Sequence, residues 1–182
     1  MKIGFRVFNL YFAFALCLVA LGSACSTTRG KSGATKKGKE ISTLRLHLEV
    51  NADGTERNGP VPVFREQPVM VNVNKEFFLN EGDVVEALVV EAMGGFALSV
   101  HFDPHGKLLL DTVTTSNKGR RIAIFSRFGE VGKARWLAAP LIRQRITDGV
   151  LTFTPDATRE EAERIALGLN QVAKELKKKP KK

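Results

Sequence analysis

Thr158-Arg159-Glu160-Glu161-Ala162-Glu163-Arg164-Ile165-Ala166-Leu167-Gly168-Leu169-Asn170-Gln171-Val172-Ala173-Lys174-Glu175-Leu176-Lys177-Lys178 is the stretch that decides the fold. Its apolar residues at Ala162, Ile165, Ala166, Leu169, Val172, Ala173 and Leu176 recur every three or four positions, which gathers them along one side of an α-helix. Thr158 and Glu161 form a capping box, in which each side chain accepts the other residue's main-chain N–H. The lysines at the far end suit the negative pole of the helix dipole. The spacing predicts a helix over 158–178 whose apolar stripe has to be covered by another layer.

Working back along the chain, that layer reads as strands. Gly149 opens a last strand running through Phe153 to Pro155. Arg121–Ser126 and Ala134–Ala138 are two more, with a turn near Phe128-Gly129. Ala87–Ala92 and Phe96–Phe102 flank Met93-Gly94-Gly95 as a hairpin. Val69, Val71 and Val73 alternate with polar residues, and so do Leu44, Leu46, Leu48 and Val50 with Arg45, His47 and Glu49, the period of a strand with one buried face. Asn51–Gly59 reads as a turn region and Asp103-Pro104-His105-Gly106 as the turn that ends a strand. Lys107–Ser116 reads as a short helix despite its β-branched Thr112-Val113-Thr114-Thr115, and Gly119 breaks it. The fold class is α+β: a mostly antiparallel sheet covered by a long C-terminal helix, with one shorter helix.

The N-terminal end has another character. Lys2 and Arg6 precede an apolar run from Val7 to Leu21 that is interrupted by Asn9 and followed by Gly22, Ser23 and Ala24. This is the build of a signal peptide over 1–24, too short to favour a spanning helix of roughly 20 apolar residues. Leu21-Gly22-Ser23-Ala24-Cys25 resembles a bacterial lipoprotein signal, with its leucine four residues before the cysteine where that pattern usually has three. Ordinary signal peptidase would cut the same bond, so lipidation of Cys25, simple secretion and an uncleaved anchor are the alternatives. Cys17 leaves with the signal, so Cys25 is the sole thiol of the remaining 158 residues. A lone cysteine at that place in an oxidising compartment is best explained as an acyl acceptor, carrying chains such as palmitate. Each buried methylene of such chains contributes about 0.8 kcal/mol, which makes the anchor permanent.

The formal net charge of +9 lies in the flanks. From Ile41 to Leu176, 16 Lys and Arg stand against 18 Asp and Glu, a net of −2. Nucleic acid therefore recedes as a partner. The stretch 25–40, rich in Ser, Thr, Gly and Lys, is expected to be a flexible basic tether, and 177–182 a lysine-rich tail; either end can meet anionic lipid or cell-wall carboxylates. The organisation expected is thus signal peptide 1–24, lipidated N-terminus and tether 25–40, one α+β domain 41–176 and tail 177–182.

Three stretches in order carry a family resemblance: Asn117-Lys118-Gly119-Arg120-Arg121-Ile122-Ala123-Ile124, then Ala139-Pro140-Leu141-Ile142-Arg143-Gln144-Arg145-Ile146-Thr147-Asp148-Gly149, then Phe153-Thr154 with Glu160-Glu161-Ala162 leading into Ala166-Leu167-Gly168-Leu169. They resemble the head subdomain of the first periplasmic domain in the SecD/SecDF protein-export family, from about Leu79 to Asn170. Two departures stand out: Phe128–Leu137 is longer and more basic than the family's hairpin turn, and Pro155-Asp156-Ala157 is inserted before the helix cap. The membrane helices by which SecD couples proton flow to protein movement have no counterpart in this sequence. The resemblance implies a detached head, a stand-alone lipoprotein that engages translocating or partner polypeptide outside the cytoplasm and needs no cofactor.

Other constellations point elsewhere. His101, Asp103 and His105 form a His-x-Asp-x-His run that would suit a metal ion if the strand brought them together. The same residues are ordinary turn chemistry, and no metal is assigned. Glu160 and Glu161 read as first-turn helix acids rather than a catalytic pair. Glycine fingerprints for phosphate and a nucleophile elbow are absent. Arg120, Arg121, Arg127, Lys133, Arg135, Arg143 and Arg145 cluster around Phe128 and Trp136 as a basic, aromatic face or as solvated strand faces around a core tryptophan. The leading expectation is a non-enzymatic binding module of the cell envelope. Its rivals are a structural lipoprotein bridging membrane and cell wall and, behind that, a metal-dependent hydrolase.

Overall fold

Alternation in Thr43–Leu48 builds strand β1, which turns Leu44 and Leu46 into a fully buried core. The computed structural model describes residues 40–129 and 132–178. β2 (Asn58–Val63), β3 (Val69–Asn74), β4 (Leu79–Asn80), β5 (Val84–Ala92), β6 (Gly95–Phe102), helix α1 (Pro104–Ser116), β7 (Ile122–Phe128), β8 (Lys133–Ala138), β9 (Val150–Phe153) and helix α2 (Arg159–Lys178) follow. The expectations for 1–24, Cys25, the tether up to Lys39 and Lys179–Lys182 lie outside the described residues.

The strands are antiparallel and form a four-stranded sheet in the order β4-β1-β7-β8, a three-stranded sheet β5-β6-β9 and the hairpin β2-β3. The α+β class holds, with two sheets and a separate hairpin where the alternation suggested one sheet. The main core lies between the sheets and the helices, where Leu44, Leu46, Ile122, Ile124 and Phe128 meet Leu98, Val100, Leu151, Phe153, Ile165 and Leu169. A smaller core of Val63, Val71, Val73, Ala123 and Ala139 seats the hairpin on the four-stranded sheet.

Two element boundaries and the burial of one residue differ from the sequence reading. β2 takes in Asn58 and Gly59, which read as turn, and Pro60–Val63, to which the sequence assigns no element, although Pro60 and Pro62 lack the N–H that a ladder uses; its pairing with β3 alone leaves it at an edge, where proline is tolerated. Asp103-Pro104-His105-Gly106 opens α1 rather than merely ending β6. Asp103 Oδ1 accepts the Gly106 N–H at 2.8 Å and Pro104 sits in the first turn, so the chain passes directly from strand to helix. His47 is buried at 7% exposure, because the hairpin covers part of the face that a simple alternation leaves to water. The turn between β5 and β6 is as read: Ala92 pairs with Gly95 around Met93-Gly94, and Gly94 takes a φ of +82° that suits glycine.

Helix α2 begins where its capping box places it. Thr158 Oγ1 accepts the Glu161 N–H at 3.2 Å, and Glu161 Oε2 accepts the Thr158 N–H at 3.2 Å. Asn170 on α2 closes the outer edge of β5: its Oδ1 accepts the Ala87 N–H and its Nδ2 donates to the Ala87 carbonyl, both at 2.8 Å, in the place a neighbouring strand would take. Two residues earlier, Gly168 lies against Ser42, just ahead of β1. A Cβ there would stand 2.7 Å from the Ser42 nitrogen.

Gly168→Ala therefore sets a gain in helix propensity of about 1 kcal/mol against an overpacking cost of about 1–3 kcal/mol. The added methyl would meet the Ser42 main-chain nitrogen as well as its short side chain, and main chain cannot swing aside, which puts the cost near its upper end, so the urea midpoint is expected to fall. Asn170→Ala leaves both Ala87 groups unpaired and is expected to cost about 2 kcal/mol in the same measurement.

Candidate functional site

The segment between β8 and β9 has little regular structure of its own, yet it is pinned along its length. Ile142 donates to the Arg120 carbonyl at 2.8 Å and accepts from Gly119 at 3.0 Å, and Ile122 donates to the Pro140 carbonyl at 3.0 Å. Further on, Thr114 Oγ1 of α1 accepts the Ile146 N–H at 3.0 Å while donating to the Leu110 carbonyl at 2.7 Å. Arg145 grips Asp111 of α1 through two nitrogens, with Nη2 at 2.7 Å from Oδ2. Arg145 accordingly holds the Asp111 carboxyl below its ordinary range.

Between this segment and β9 lies a recess of about 350 Å³, bounded by Ile122, Pro140, Leu141, Ile142, Ile146 and Leu151. β9 is an edge strand. Phe102 donates to Gly149 at 2.9 Å, which sets the alternation so that Leu151 and Phe153 face β6 while Val150 and Thr152 turn their main-chain groups outward. The Val150 N–H is taken by Asp148 Oδ1 at 3.0 Å; Thr152 faces the recess. An apolar hollow beside outward main-chain donors and acceptors is the arrangement that accepts an extended chain.

A second recess, of about 220 Å³, lies on the opposite face of the four-stranded sheet, among Arg45, His47, Val61, Val73, Lys75, Phe125 and Trp136. Its rings are packed edge to face: His47 against Trp136 at 5.1 Å, Phe125 against Trp136 at 5.2 Å and His47 against Phe77 at 6.2 Å. His47 Nδ1 donates to the Asn74 carbonyl at 2.9 Å, which fixes its tautomer. Burial pushes the His47 pKa below its ordinary 6.5; the bond to Asn74 works against this and the nearby charge of Arg45 adds to it.

The His-x-Asp-x-His run is not brought together as one group. His101 stays on β6, paired with Glu86 and Val150, whereas Asp103 and His105 meet Asp83, with ligand atoms of the three within 4.8 Å of one another. Their bonds serve the helix start: His105 Nδ1 meets Asp83 Oδ1 at 2.9 Å, Asp83 Oδ2 accepts the Asn80 N–H at 3.2 Å, and Asp103 caps α1. The basic cluster also disperses. Arg120 and Arg121 hold the carbonyls of Glu49 and Ala139, Lys133 and Arg135 reach Glu161, and Arg143 and Arg145 lie on the pinned segment. Burial alone would raise the Glu161 carboxyl, but Arg135, the Thr158 N–H and Lys133 hold it below its ordinary range. Trp136 is half-buried, against the smaller core. Arg45, Lys75, Phe77 and Phe125, which no local spacing connects, were not among the residues singled out from the sequence.

Residues 59–173 match the family model of the SecDF P1 head subdomain. Among solved structures, SecDF described as a membrane component that enhances protein export superposes with a TM-score of 0.51 at 22% identity, over 73% of this chain and 64% of that one. SecDF in a super-membrane-facing form gives 0.49 at 22% identity, over 73% and 19%. SecDF from Thermus thermophilus, a translocon-associated membrane protein, gives 0.39 at 17% identity, over 74% and 29%. At such identities the first of these likenesses establishes the fold. The chain spans less than two thirds of each of those proteins. No curated protein matches it.

His47 gives the second recess a pH signature. With its folded pKa below 6.5, the unfolded chain binds the proton first as pH falls, so stability drops on acidification from about pH 7 towards 5. Urea midpoints across that range are expected to fall less steeply in His47→Gln than in the parent protein. An equal slope would separate His47 from the pH dependence.

Proposed function

Because this chain belongs to the SecDF P1 head subdomain family, we propose that it is an extracytoplasmic, non-enzymatic module that holds extended polypeptide, whether an exported chain or an envelope partner. The observation that carries this reading is the apolar recess beside the outward edge of β9. Main-chain groups at Thr152 offer a bound strand the same bonds whatever its sequence, and the hollow of Ile122, Ile142, Ile146 and Leu151 takes an apolar side chain. That combination suits a partner recognised by being unfolded rather than by a particular motif. The proposed anchor is lipid on Cys25 after removal of residues 1–24, with 25–40 as tether; no helix among the described residues is long and apolar enough to cross a membrane.

Two measurements test the proposal. Titration with an unfolded, apolar-rich peptide is expected to move the amide resonances of residues 141–152. Thr152→Pro removes one outward N–H and Leu141→Asp places a charge at the rim, so each is expected to weaken binding by about tenfold or more. Unchanged affinity in both variants, with the fold retained by circular dichroism, would refute strand addition at β9. Mass spectrometry of the mature N-terminus is expected to find an acylated Cys25; an unmodified cysteine or an intact Met1 would remove the lipid anchor.

A further inference from the structure

Several basic residues around the two sheets are neutralised by partners within the fold. Arg65 pairs with Asp156, Lys133 and Arg135 with Glu161, Arg145 with Asp111 and Arg159 with Glu91. The recess on the outer face of the four-stranded sheet differs. Arg45 and Lys75 line it, and Arg127 follows two residues beyond Phe125 on the same face of β7. No carboxylate among the described residues forms an ion pair with any of the three. Arg45 is held over the Phe77 ring at 5.2 Å, and Lys75 Nζ donates to the Glu56 carbonyl at 2.8 Å. These contacts position the two cations and leave their charge unneutralised.

We propose that this recess docks an acidic polypeptide segment through one aromatic side chain, its ring entering beside Phe125, Trp136 and His47 while neighbouring carboxylates meet Arg45 and Lys75. The volume of about 220 Å³ is below the range of small-molecule sites and suits a single large side chain. Phe125, Trp136 and His47 already stand edge to face, so an incoming ring continues the arrangement. Unpaired cations beside an apolar hollow select carboxylates over ammonium groups, and the two contacts together define a segment rather than an isolated anion. A nucleic-acid strand fits less well: a phosphate backbone follows a continuous cationic track, whereas Glu76 directly follows Lys75 and the span Ile41–Leu176 carries a net charge of −2. The inference takes from the polypeptide-binding reading only the class of partner, since it concerns a surface separate from the β9 edge.

Trp136 is the single tryptophan of the chain, so its emission reports on this recess. The probes are a glutamate-rich peptide with one central phenylalanine, the same peptide with lysine for glutamate, and the acidic peptide with alanine for phenylalanine. The first is expected to shift Trp136 emission and to bind at least about tenfold more tightly than either of the others. Arg45 and Lys75 are both exposed, so the double variant Arg45→Glu with Lys75→Glu is expected to keep its circular dichroism spectrum and to prefer the lysine peptide. Equal affinity for acidic and basic peptides, an unaltered preference in the double variant, or tighter binding of a single-stranded oligonucleotide or a phosphatidylglycerol vesicle would overturn the proposal. Thr152→Pro is expected to leave the Trp136 titration unchanged, which distinguishes failure at the β9 edge from failure here. Loss of that titration in Thr152→Pro would assign the peptide to β9 and overturn this site.

Discussion

The contact of Gly168 with Ser42 is the constraint on which the arrangement of layers rests. At that point the helix lies so close to the chain entering β1 that no side chain can be placed between them. The close approach brings the rest of α2 within reach of both sheets at once. Ile165 and Leu169 enter the main core, Asn170 closes the edge of β5, and Glu161 at the other end takes Arg135 and Lys133 of β8. Arg159 reaches Glu91 on β5 and lies over the Phe96 ring at 5.3 Å. A helix held farther out would retain its apolar stripe and its cap but lose the polar bonds, which reach only a few ångströms.

That logic explains which parts of the fold the sequence reveals. Helix α2 is legible because its period, its cap and its charged end all state the same thing within one continuous stretch. The β5-β6 hairpin is legible for the same reason, with Gly94 at its turn. β2 is hidden because Pro60 and Pro62 weigh against a strand, and the edge position that excuses them is a tertiary fact. Asp103-Pro104-His105-Gly106 is ambiguous in principle: aspartate followed by proline serves a turn and a helix start equally well, and docking decides between them. Gly106 packs so closely on Phe102 and Asp83 that this first turn of α1 has no room for a side chain there.

The surfaces were less legible than the elements. Neighbours in a strand point to opposite faces, so a cluster in sequence becomes two groups in space. Arg135 turns inward to Glu161 and lies over the Phe128 ring at 5.1 Å, while Trp136, next in the chain, turns outward to His47 and Phe125. The aromatic recess is assembled from β1, β7, β8, the β2-β3 hairpin and Lys75 just beyond it, a set that only the tertiary arrangement brings together. The inserted Pro155-Asp156-Ala157 also finds a structural role. Asp156 accepts the Arg65 main-chain N–H at 2.9 Å and pairs with its side chain, while its own N–H donates to Leu137 at 2.7 Å. An exposed ion pair alone contributes little, but one carboxylate holding both main chain and side chain fixes the loop between β2 and β3. That hairpin supplies Val61 and Val73 to the wall of the recess.

β7 connects the two surfaces. It is paired on both sides, with β1 and β8, and its even-numbered residues Ile122, Ile124, Ser126 and Phe128 face the main core while Ala123 and Phe125 lie on the opposite face, Ala123 buried in the smaller core. Ile122 borders the recess beside β9 and Phe125 borders the aromatic one. One wall of each hollow is therefore set by the same strand, which is held by a ladder on each side. A chain that lays an apolar residue at the β9 edge and an acidic, aromatic segment on the far face would meet both hollows. The second contact would then form intramolecularly, so two weak contacts of different chemistry would hold one chain more firmly than either alone, and loss of either site would leave only the weak affinity of the other.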